Sequence, residues 1–284
     1  MTYTCDVFGI SRQAYYKQKV SLRAKQEQAE GIIAKVQVIR QSMPRIGTRK
    51  LYYLLDGQLS VGRDKLFSIL RANQMLVKPV RSYTKTTMSK HWLHKHPNLL
   101  KEVQIQQPEQ VYVSDITYIK SRQRTHYLSL ITDAYSRKIV GWVIGDSLEA
   151  KHTVEALRMA LEQLPKGTEG LIHHSDRGVQ YCCNDYVKVL NNKNIKISMT
   201  ENGDPRENAI AERVNGILKD EWLNQMKLET LEQAVVELKR IIMIYNNHRP
   251  HLSLDMKTPE FAHSQTGEFK KHWKTYYNTS NSTV

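Results

Sequence analysis

The chain has 284 residues, of which 40% are hydrophobic, so it is long enough for two domains and a substantial core. Lysine and arginine total 42 against 28 acidic residues, and this formal charge of +14 favours a polyanionic partner, with nucleic acid ahead of a membrane surface. The sequence has no run of 18 apolar residues, which argues against a membrane-spanning helix, and no visible secretory signal. Because its three cysteines form neither a disulfide framework nor a metal-ligand pattern, we expect a reducing, cytoplasmic location.

The first part of the chain is predicted to be helical. Ser11 is a suitable N-cap for a short helix, and apolar residues at helical spacing predict a second helix over residues 23–43. Two further helical patterns, Thr48–Leu59 and Ser60–Gln74, are separated by a glycine-containing turn. This is the outline of a helix-turn-helix, whose second helix enters the DNA major groove, although a purely structural hairpin has the same outline. The side chains expected to contact DNA there are Arg49, Lys50, Arg63, Lys65, Ser68 and Arg71.

Positive charge is concentrated between Arg45 and Lys101, where twelve lysines and arginines face only two acids. The later part of this stretch, around residues 81–108, lacks clear periodicity and predicts a basic linker. Aromatic and histidine side chains are interleaved with its basic residues, a composition suited to following a phosphate backbone. Its three closely spaced histidines have no cysteine or acid nearby, so we do not expect them to bind a metal ion.

The amino-acid composition changes at Glu109, where β-branched and aromatic residues begin to predominate. Three consecutive strands are expected to form an antiparallel meander, and two later strands alternate with helices. The class is therefore α/β, with a mixed five-stranded sheet covered by helices on both faces. The predicted strands are 111–119, 125–133, 138–145, 171–174 and 195–199, and the predicted helices are 147–164, 184–192, 207–222 and 229–246.

Three carboxylates stand out in this second region. Asp115 interrupts an otherwise apolar strand, Asp176 directly follows a strand, and Glu212 shares a helix face with Lys219, seven residues further on. Taken singly, each has an ordinary reading as a surface, turn or solvated helix residue. Together they could converge on a pair of divalent cations, and their hard oxygen ligands suit Mg²⁺ or Mn²⁺.

Two other aspartates are interpreted as structural residues. Asp133 closes a strand and is placed to hold the following turn through its own backbone contacts. Asp146 also ends a strand, and we expect it to cap the next helix.

Five motifs together resemble the DDE transposases of the OrfB type, which come from bacterial insertion sequences and are related to retroviral integrases. They are Ser114-Asp115-Ile116-Thr117-Tyr118, residues 174–181 (HSDRGVQY), residues 207–212 (ENAIAE), residues 245–251 (YNNHRPH) and residues 44–49 (PRIGTR). Asp176 and Glu212 have 35 residues between them, as in that family. One position departs from the family pattern, since Glu207 stands where an aspartate is usual.

The resemblance implies an RNase H-like integrase catalytic core and two Mg²⁺ ions per active site, for which Mn²⁺ can substitute. It implies cleavage at the ends of an insertion element and joining of the freed 3′-OH to DNA by metal-dependent phosphoryl transfer. Asp115, Asp176 and Glu212 would be the catalytic metal ligands. Lys193, Lys196 and Lys219 would contact DNA phosphates. Arg249 would either contact the DNA backbone or have a structural role.

The resemblance also implies partners and a domain order. Double-stranded DNA, from both the terminal repeats and the target, would be bound by a homo-oligomer in the bacterial nucleoid, with a possible upstream-frame partner or fusion. A DNA-binding region, 1–80, would precede the basic linker, 81–108, the catalytic core, 109–265, and a basic, polar tail, 266–284, that is partly disordered. A catalytically inactive DNA-binding regulator and an RNase H-like nuclease remain alternatives.

Overall fold

A computed structural model describes residues 5, 7–78, 92–122, 124–166, 168–201, 205–270 and 272, without the side chains of residues 102, 205 and 206. The chain divides into two compact units, Met1–Pro79 and Val80–Val284, which we call the helical unit and the sheet unit. Within the described ranges, no helix has the length and apolar character needed to cross a membrane. Residues 81–91 of the predicted linker and most of the predicted tail lie outside the described residues.

The helical unit begins with one long helix, α1 (Arg12–Ser42). Ser11 caps it as predicted, because its hydroxyl oxygen accepts a hydrogen bond from the backbone N–H of Ala14 at 3.1 Å. The prediction of two separate helices is wrong, since no proline or glycine interrupts residues 12–30 and the helix continues through them. Only Ile32 and Val36 of α1 are buried, so the packed part of this helix is its C-terminal half.

Two shorter helices, α2 (Thr48–Leu54) and α3 (Arg63–Ala72), complete the helical unit. Helix α2 ends earlier and α3 begins later than predicted, because residues 55–62 form a wider turn between them. Gly57 in this turn has a φ of +73°. The fully buried Leu51 and Leu66 come from opposite helices of the pair. The helical pair is therefore present, whereas its contact with DNA stays a prediction.

The sheet unit contains the five predicted strands. They are β1 (Val111–Lys120), β2 (Thr125–Asp133), β3 (Ile139–Gly145), β4 (Ile172–Ser175) and β5 (Lys196–Met199). Their order is β3-β2-β1-β4-β5, with antiparallel pairing from β1 to β3 and parallel pairing of β4 with β1 and β5. This mixed five-stranded sheet confirms the predicted RNase H-like architecture.

Helices cover both faces of the sheet. They are α4 (Ala150–Glu162), α5 (Val179–Cys182), α6 (Asn184–Asn192), α7 (Ala209–Glu221), α8 (Leu231–Asn247) and α9 (Pro259–His263), of which α5 and α9 were not predicted. Tyr112 of β1 packs in a core cluster with α4, α5 and α6, whereas its neighbours Val111 and Val113 pack with Ala211 of α7. Asp115 has the same parity as Val111 and Val113, so it projects to the α7 face.

The connection after β3 differs from the prediction in one respect. The N-cap of α4 is Glu149, three residues later than expected, and no side chain caps that helix start. Asp146 is instead exposed, with Oδ2 3.6 Å from Nη1 of Arg124, so the prediction that it caps the helix is wrong. The helix begins later because residues 146–149 form the turn that carries the chain from the sheet onto its face.

Candidate active site

Asp115 lies in the middle of β1 and is held at both carboxylate oxygens. Oδ2 accepts a hydrogen bond from Nδ2 of Asn215 at 2.8 Å, and Oδ1 accepts one from the backbone N–H of Ile116 at 2.9 Å. Burial raises the pKa of Asp115 to about 7, with the Asn215 amide opposing the rise and the charges of Asp176 and Glu212 adding to it. This carboxylate is therefore costly to keep charged without a cation.

Asp176 directly follows β4, the strand that runs parallel beside β1. Val113 of β1 pairs with His174 of β4, so the chain carries Asp176 to the same end of the sheet as Asp115. Its Oδ1 accepts a hydrogen bond from the backbone N–H of Gly178 at 2.9 Å. A Cβ at Gly178 would lie only 3.0 Å from that oxygen, so the loop needs glycine for the carboxylate to approach it.

Glu212 lies in the first turn of α7 and is exposed. Partial burial and the neighbouring charge of Asp176 raise its pKa, which joins it electrostatically to the other two acids. The three carboxylates supply the hard oxygen donors that Mg²⁺ and Mn²⁺ prefer. Among the described residues, however, no three His, Cys, Asp or Glu side chains are close enough to hold one metal ion. The three carboxylates thus have the donor atoms that a divalent cation prefers. Among the described residues they are not close enough together to coordinate one ion.

Two asparagines hold α7 against β1 on either side of Glu212. Asn208, just before the helix, donates from Nδ2 to the carbonyl oxygen of Ser114 at 3.0 Å, and Asn215 donates to Asp115. The two asparagines are seven residues apart, so they return to one helix face. No role was predicted for Asn208, although the seven-residue spacing of the two asparagines around Glu212 is visible in the sequence.

A second set of polar contacts joins the strands behind the two aspartates. Nε2 of His173 lies 2.7 Å from the Ser114 hydroxyl and 2.8 Å from the Tyr186 hydroxyl, and all three side chains are buried. Burial lowers the pKa of His173 to about 3, so this imidazole is neutral at physiological pH. The contacts link β1, β4 and α6 directly beneath the candidate site.

Lys219 lies on the same helix as Glu212 and is half-buried. Burial lowers its pKa and the Asp115 charge opposes that shift, which indicates that the ammonium lies near the carboxylates. Lys193 and Lys196, the other two predicted phosphate contacts of the sheet unit, are exposed beside β5. Their contacts with DNA stay predictions.

The environment of Arg249 differs from that expected of a DNA-binding residue. Its side chain is only 1% exposed and pairs with Glu221 of α7 through two hydrogen bonds, of 2.7 and 2.6 Å. The guanidinium also lies 2.9 Å from Nε2 of His251 and 5.8 Å from the centre of the Tyr245 ring. A guanidinium that is buried and paired in this way is not available to a phosphate, so of the two roles predicted for Arg249 the structural one is supported and the contact with DNA is not.

The predicted DNA contacts of the helical unit lie at its surface. Arg49, Arg63, Lys65, Ser68 and Arg71 are exposed and Lys50 is half-buried. Arg63 already forms an ion pair of 2.9 Å with its neighbour Asp64, and the Ser68 hydroxyl donates to the Asp64 carbonyl oxygen at 3.0 Å. The exposed face of α3 is available for groove binding, which stays a prediction.

Asp133 has the structural role that was predicted for it. It is fully buried, and its carboxylate accepts hydrogen bonds from the backbone N–H groups of Glu109 and Ser136 at 2.8 and 2.7 Å. The Ser136 hydroxyl adds a third at 2.8 Å. With its oxygens occupied by donors in a turn, Asp133 stands apart from the three candidate acids.

Comparison with known families identifies the domain that the sheet unit contains. The integrase core domain matches residues 105–205, and a second family model, also described as an integrase core domain, matches residues 193–259. The two matches cover all five strands, α7 and α8. The sheet unit thus defines a polynucleotidyl transferase of the integrase and transposase class.

Similar proteins come from bacterial mobile elements. An uncharacterized 31 kDa protein of insertion element IS600 from Shigella sonnei is 35% identical over 90% of this chain and 95% of its own length. The transposase of IS904 from Lactococcus lactis is also 35% identical, over 58% of this chain and 65% of its own. The transposase InsF of IS3A from Escherichia coli is 27% identical over 78% of each chain. The chain belongs to the DDE transposases of bacterial insertion sequences.

Solved structures with a similar fold are also integrases and transposases. The HTLV-2 integrase catalytic core in complex with magnesium matches 55% of this chain and 97% of its own, with 18% identity and a TM-score of 0.44. The catalytic domain of the Mos1 mariner transposase matches 55% of this chain and 74% of its own, with 13% identity and a TM-score of 0.42.

Proposed function

We propose that this DNA transposase cleaves the ends of its insertion element and joins the freed 3′-OH to DNA, using Asp115, Asp176 and Glu212 as catalytic residues. The observation that carries the proposal is that β1, the end of β4 and α7 bring three carboxylates together: the charges of Asp176 and Glu212 contribute to the raised pKa of Asp115, and the charge of Asp176 contributes to the raised pKa of Glu212. Repulsion among neighbouring carboxylates is unfavourable without a counter-charge, so the arrangement is best explained by cations that these acids bind.

The three acids would hold two Mg²⁺ ions, or Mn²⁺ in their place. When bound, such ions polarise the scissile phosphate and stabilise the charge that develops on the attacking and leaving oxygens. The chain's own contribution is positioning. Asn215 fixes one oxygen of Asp115, the Gly178 N–H fixes one oxygen of Asp176, and exposed Glu212 is free to turn toward both.

The DNA would lie across the basic surface near these acids. Lys219 is close enough to Asp115 to interact with its charge, and it would contact a phosphate beside the scissile bond. Lys193 and Lys196 would follow the same strand, and the α3 face of the helical unit would read a terminal repeat. Because two element ends must be joined in one event, we expect the active complex to be a homo-oligomer on DNA.

The test is strand cleavage and joining on DNA that carries the element's own ends. Wild type with Mg²⁺ should yield nicked and joined products, and Asp176→Asn should lose them by at least about a hundredfold, the loss expected when a metal-ligand carboxylate is removed. Glu155→Gln, which changes an exposed acid of α4, is the matched control and should keep full activity.

Binding is measured on the same proteins to separate catalysis from recognition. Asp176→Asn should bind end DNA as tightly as wild type, with an affinity that falls steeply as salt is raised. Equal product from wild type and Asp176→Asn would contradict the assignment. DNA binding without product from wild type would instead support an inactive regulator, and preferential cutting of RNA–DNA hybrids would support a nuclease.

A further inference from the structure

A short segment before β1, residues 92–101, runs along the outer strand of the sheet. The backbone N–H of Met199 donates to the carbonyl oxygen of Pro97 at 3.2 Å, and the N–H of Leu99 donates to the Ser198 hydroxyl at 2.9 Å. These bonds tie the segment to β5, which is the edge strand next to β4. The segment is therefore fixed to the sheet at the end where Asp176 lies.

Trp92 stands at the exposed end of this fixed segment. Its neighbour Leu93 packs against the core cluster that includes Tyr181 and Cys182 of α5. Trp92 itself is 92% exposed, the highest value among the large hydrophobic side chains described. An indole carries more apolar surface than other side chains, so its exposure to solvent is unfavourable. Because the neighbouring Leu93 is anchored in the core, the exposed ring of Trp92 is a candidate site for a ligand with a flat face.

The surroundings of the segment are positively charged. Lys95 is exposed, and it acts on the Cys182 thiol together with Asp176 and Arg177. The pKa of that thiol is raised to about 11, mainly by burial and also by the charge of Asp176, while the two cations oppose the rise. One thiol thus lies within electrostatic reach of both the segment and the candidate active site.

We propose that Trp92 is a stacking platform for an unpaired DNA base, and that Lys95 contacts a phosphate of the same strand beside Asp176. The proposal rests on the transposase function, because cleavage and joining act at strand ends, where terminal base pairs open. Stacking on an aromatic ring suits this step because every base offers a flat face, so the contact needs no particular sequence. The adjacent cation favours a nucleic acid over an apolar protein surface.

The experiment uses the full chain without divalent cations, so that binding is measured independently of cleavage. Two short duplexes are compared, one blunt and one with an unpaired thymidine tail that contains a single 2-aminopurine. Binding is followed by anisotropy and stacking by quenching of the 2-aminopurine. The variants are Trp92→Ala, Trp92→Phe and Lys95→Ala, and the control is Phe261→Ala, which removes another exposed aromatic ring of the sheet unit.

Trp92→Ala should weaken binding of the tailed duplex between about fivefold and about a hundredfold and abolish the quenching, with little change for the blunt duplex. Trp92→Phe should keep most of both signals, and Lys95→Ala should weaken binding and reduce its salt dependence. Phe261→Ala should behave as wild type. Unchanged quenching in Trp92→Ala, or equal losses on both duplexes, would overturn the proposal and leave the cleavage test of the acids unaffected.

Discussion

Replacing Asp115 by asparagine should make the metal-free sheet unit more stable at pH 8. Burial, reinforced by Asp176 and Glu212 and opposed by the Asn215 amide, raises the pKa of this carboxyl from 3.8 to about 7 on folding. The unfolded chain loses the proton at the lower pH, so the free energy of unfolding falls between about pH 4 and about pH 7 and then levels off. Linkage gives a cost of about 4 kcal/mol at pH 8 and less than about 1 kcal/mol at pH 4.

The substitution also has a cost. Asparagine has one carbonyl oxygen, whereas Asp115 accepts one hydrogen bond at each of two oxygens, from Asn215 and Ile116. One donor therefore loses its acceptor, which costs about 1 kcal/mol. Asp115→Asn should be about 3 kcal/mol more stable than wild type at pH 8 and no more stable at pH 4.

Urea unfolding followed by tryptophan fluorescence measures this difference in the correct part of the chain. All four tryptophans, Trp92, Trp142, Trp222 and Trp273, belong to the sheet unit, so the emission is blind to unfolding of the helical unit. The titrations are made with a chelator present at pH 4 and pH 8. Adding Mg²⁺ at pH 8 should stabilise wild type more than Asp115→Asn, because bound cations relieve the repulsion that the substitution removes.

Asp133→Asn is the matched control because it changes another buried aspartate to its amide. Asp133 accepts hydrogen bonds from Glu109 N–H, Ser136 N–H and the Ser136 hydroxyl, so its amide should lower stability by about 1–3 kcal/mol at both pH values. The reasoning fails if Asp115→Asn is less stable than wild type at pH 8. It fails equally if the difference between the two proteins is the same at pH 4 and pH 8.

Two further predictions concern packing in the sheet unit, and both are measured by the same unfolding assay. Arg249→Met removes the buried cation that pairs with Glu221 and should cost about 3–5 kcal/mol, and adding Glu221→Gln should restore much of the loss; an additive double variant would contradict the pairing. Gly141→Ala places a Cβ against the Ala156 carbonyl oxygen and should cost about 1–3 kcal/mol by pushing α4 from β3, whereas wild-type stability would show that the helix moves freely.

Much of the sheet could be predicted because its signals are local. The strand pattern around Asp115 is a run of β-branched and aromatic residues, and alternation decides which face each side chain occupies. Asp176 was found because the short predicted strand 171–174 ends just before it. The same alternation that buries Val111 and Val113 under α7 also aims Asp115 at that helix. Local pattern therefore fixed both the strand and the face on which the acid lies.

The parts that the sequence did not reveal depend on contacts between distant residues. Asn208 and Ser114 are 94 positions apart, and Arg249 and Glu221 are 28 apart. The residues around an arginine in the sequence do not show whether its side chain is exposed or buried. The role of Arg249 could therefore be assigned only once the position of Glu221 was known. The unbroken helix α1 is a different case, because no proline or glycine lies between Ser11 and residue 23, so the local sequence was sufficient to predict one continuous helix.

Helix α7 unites these observations because its two ends are fixed by different parts of the chain. Near its start, Asn208 and Asn215 bond to β1 and leave Glu212 between them, facing the candidate site. At its other end, Glu221 is held by the buried Arg249 after α8. These contacts restrain both ends of the helix, so we expect Glu212 to reach a cation by rotation of its own side chain. The arginine of the 245–251 motif thus acts on the architecture that supports the acids, which explains how a residue outside the site can belong to the sequence pattern that marks it.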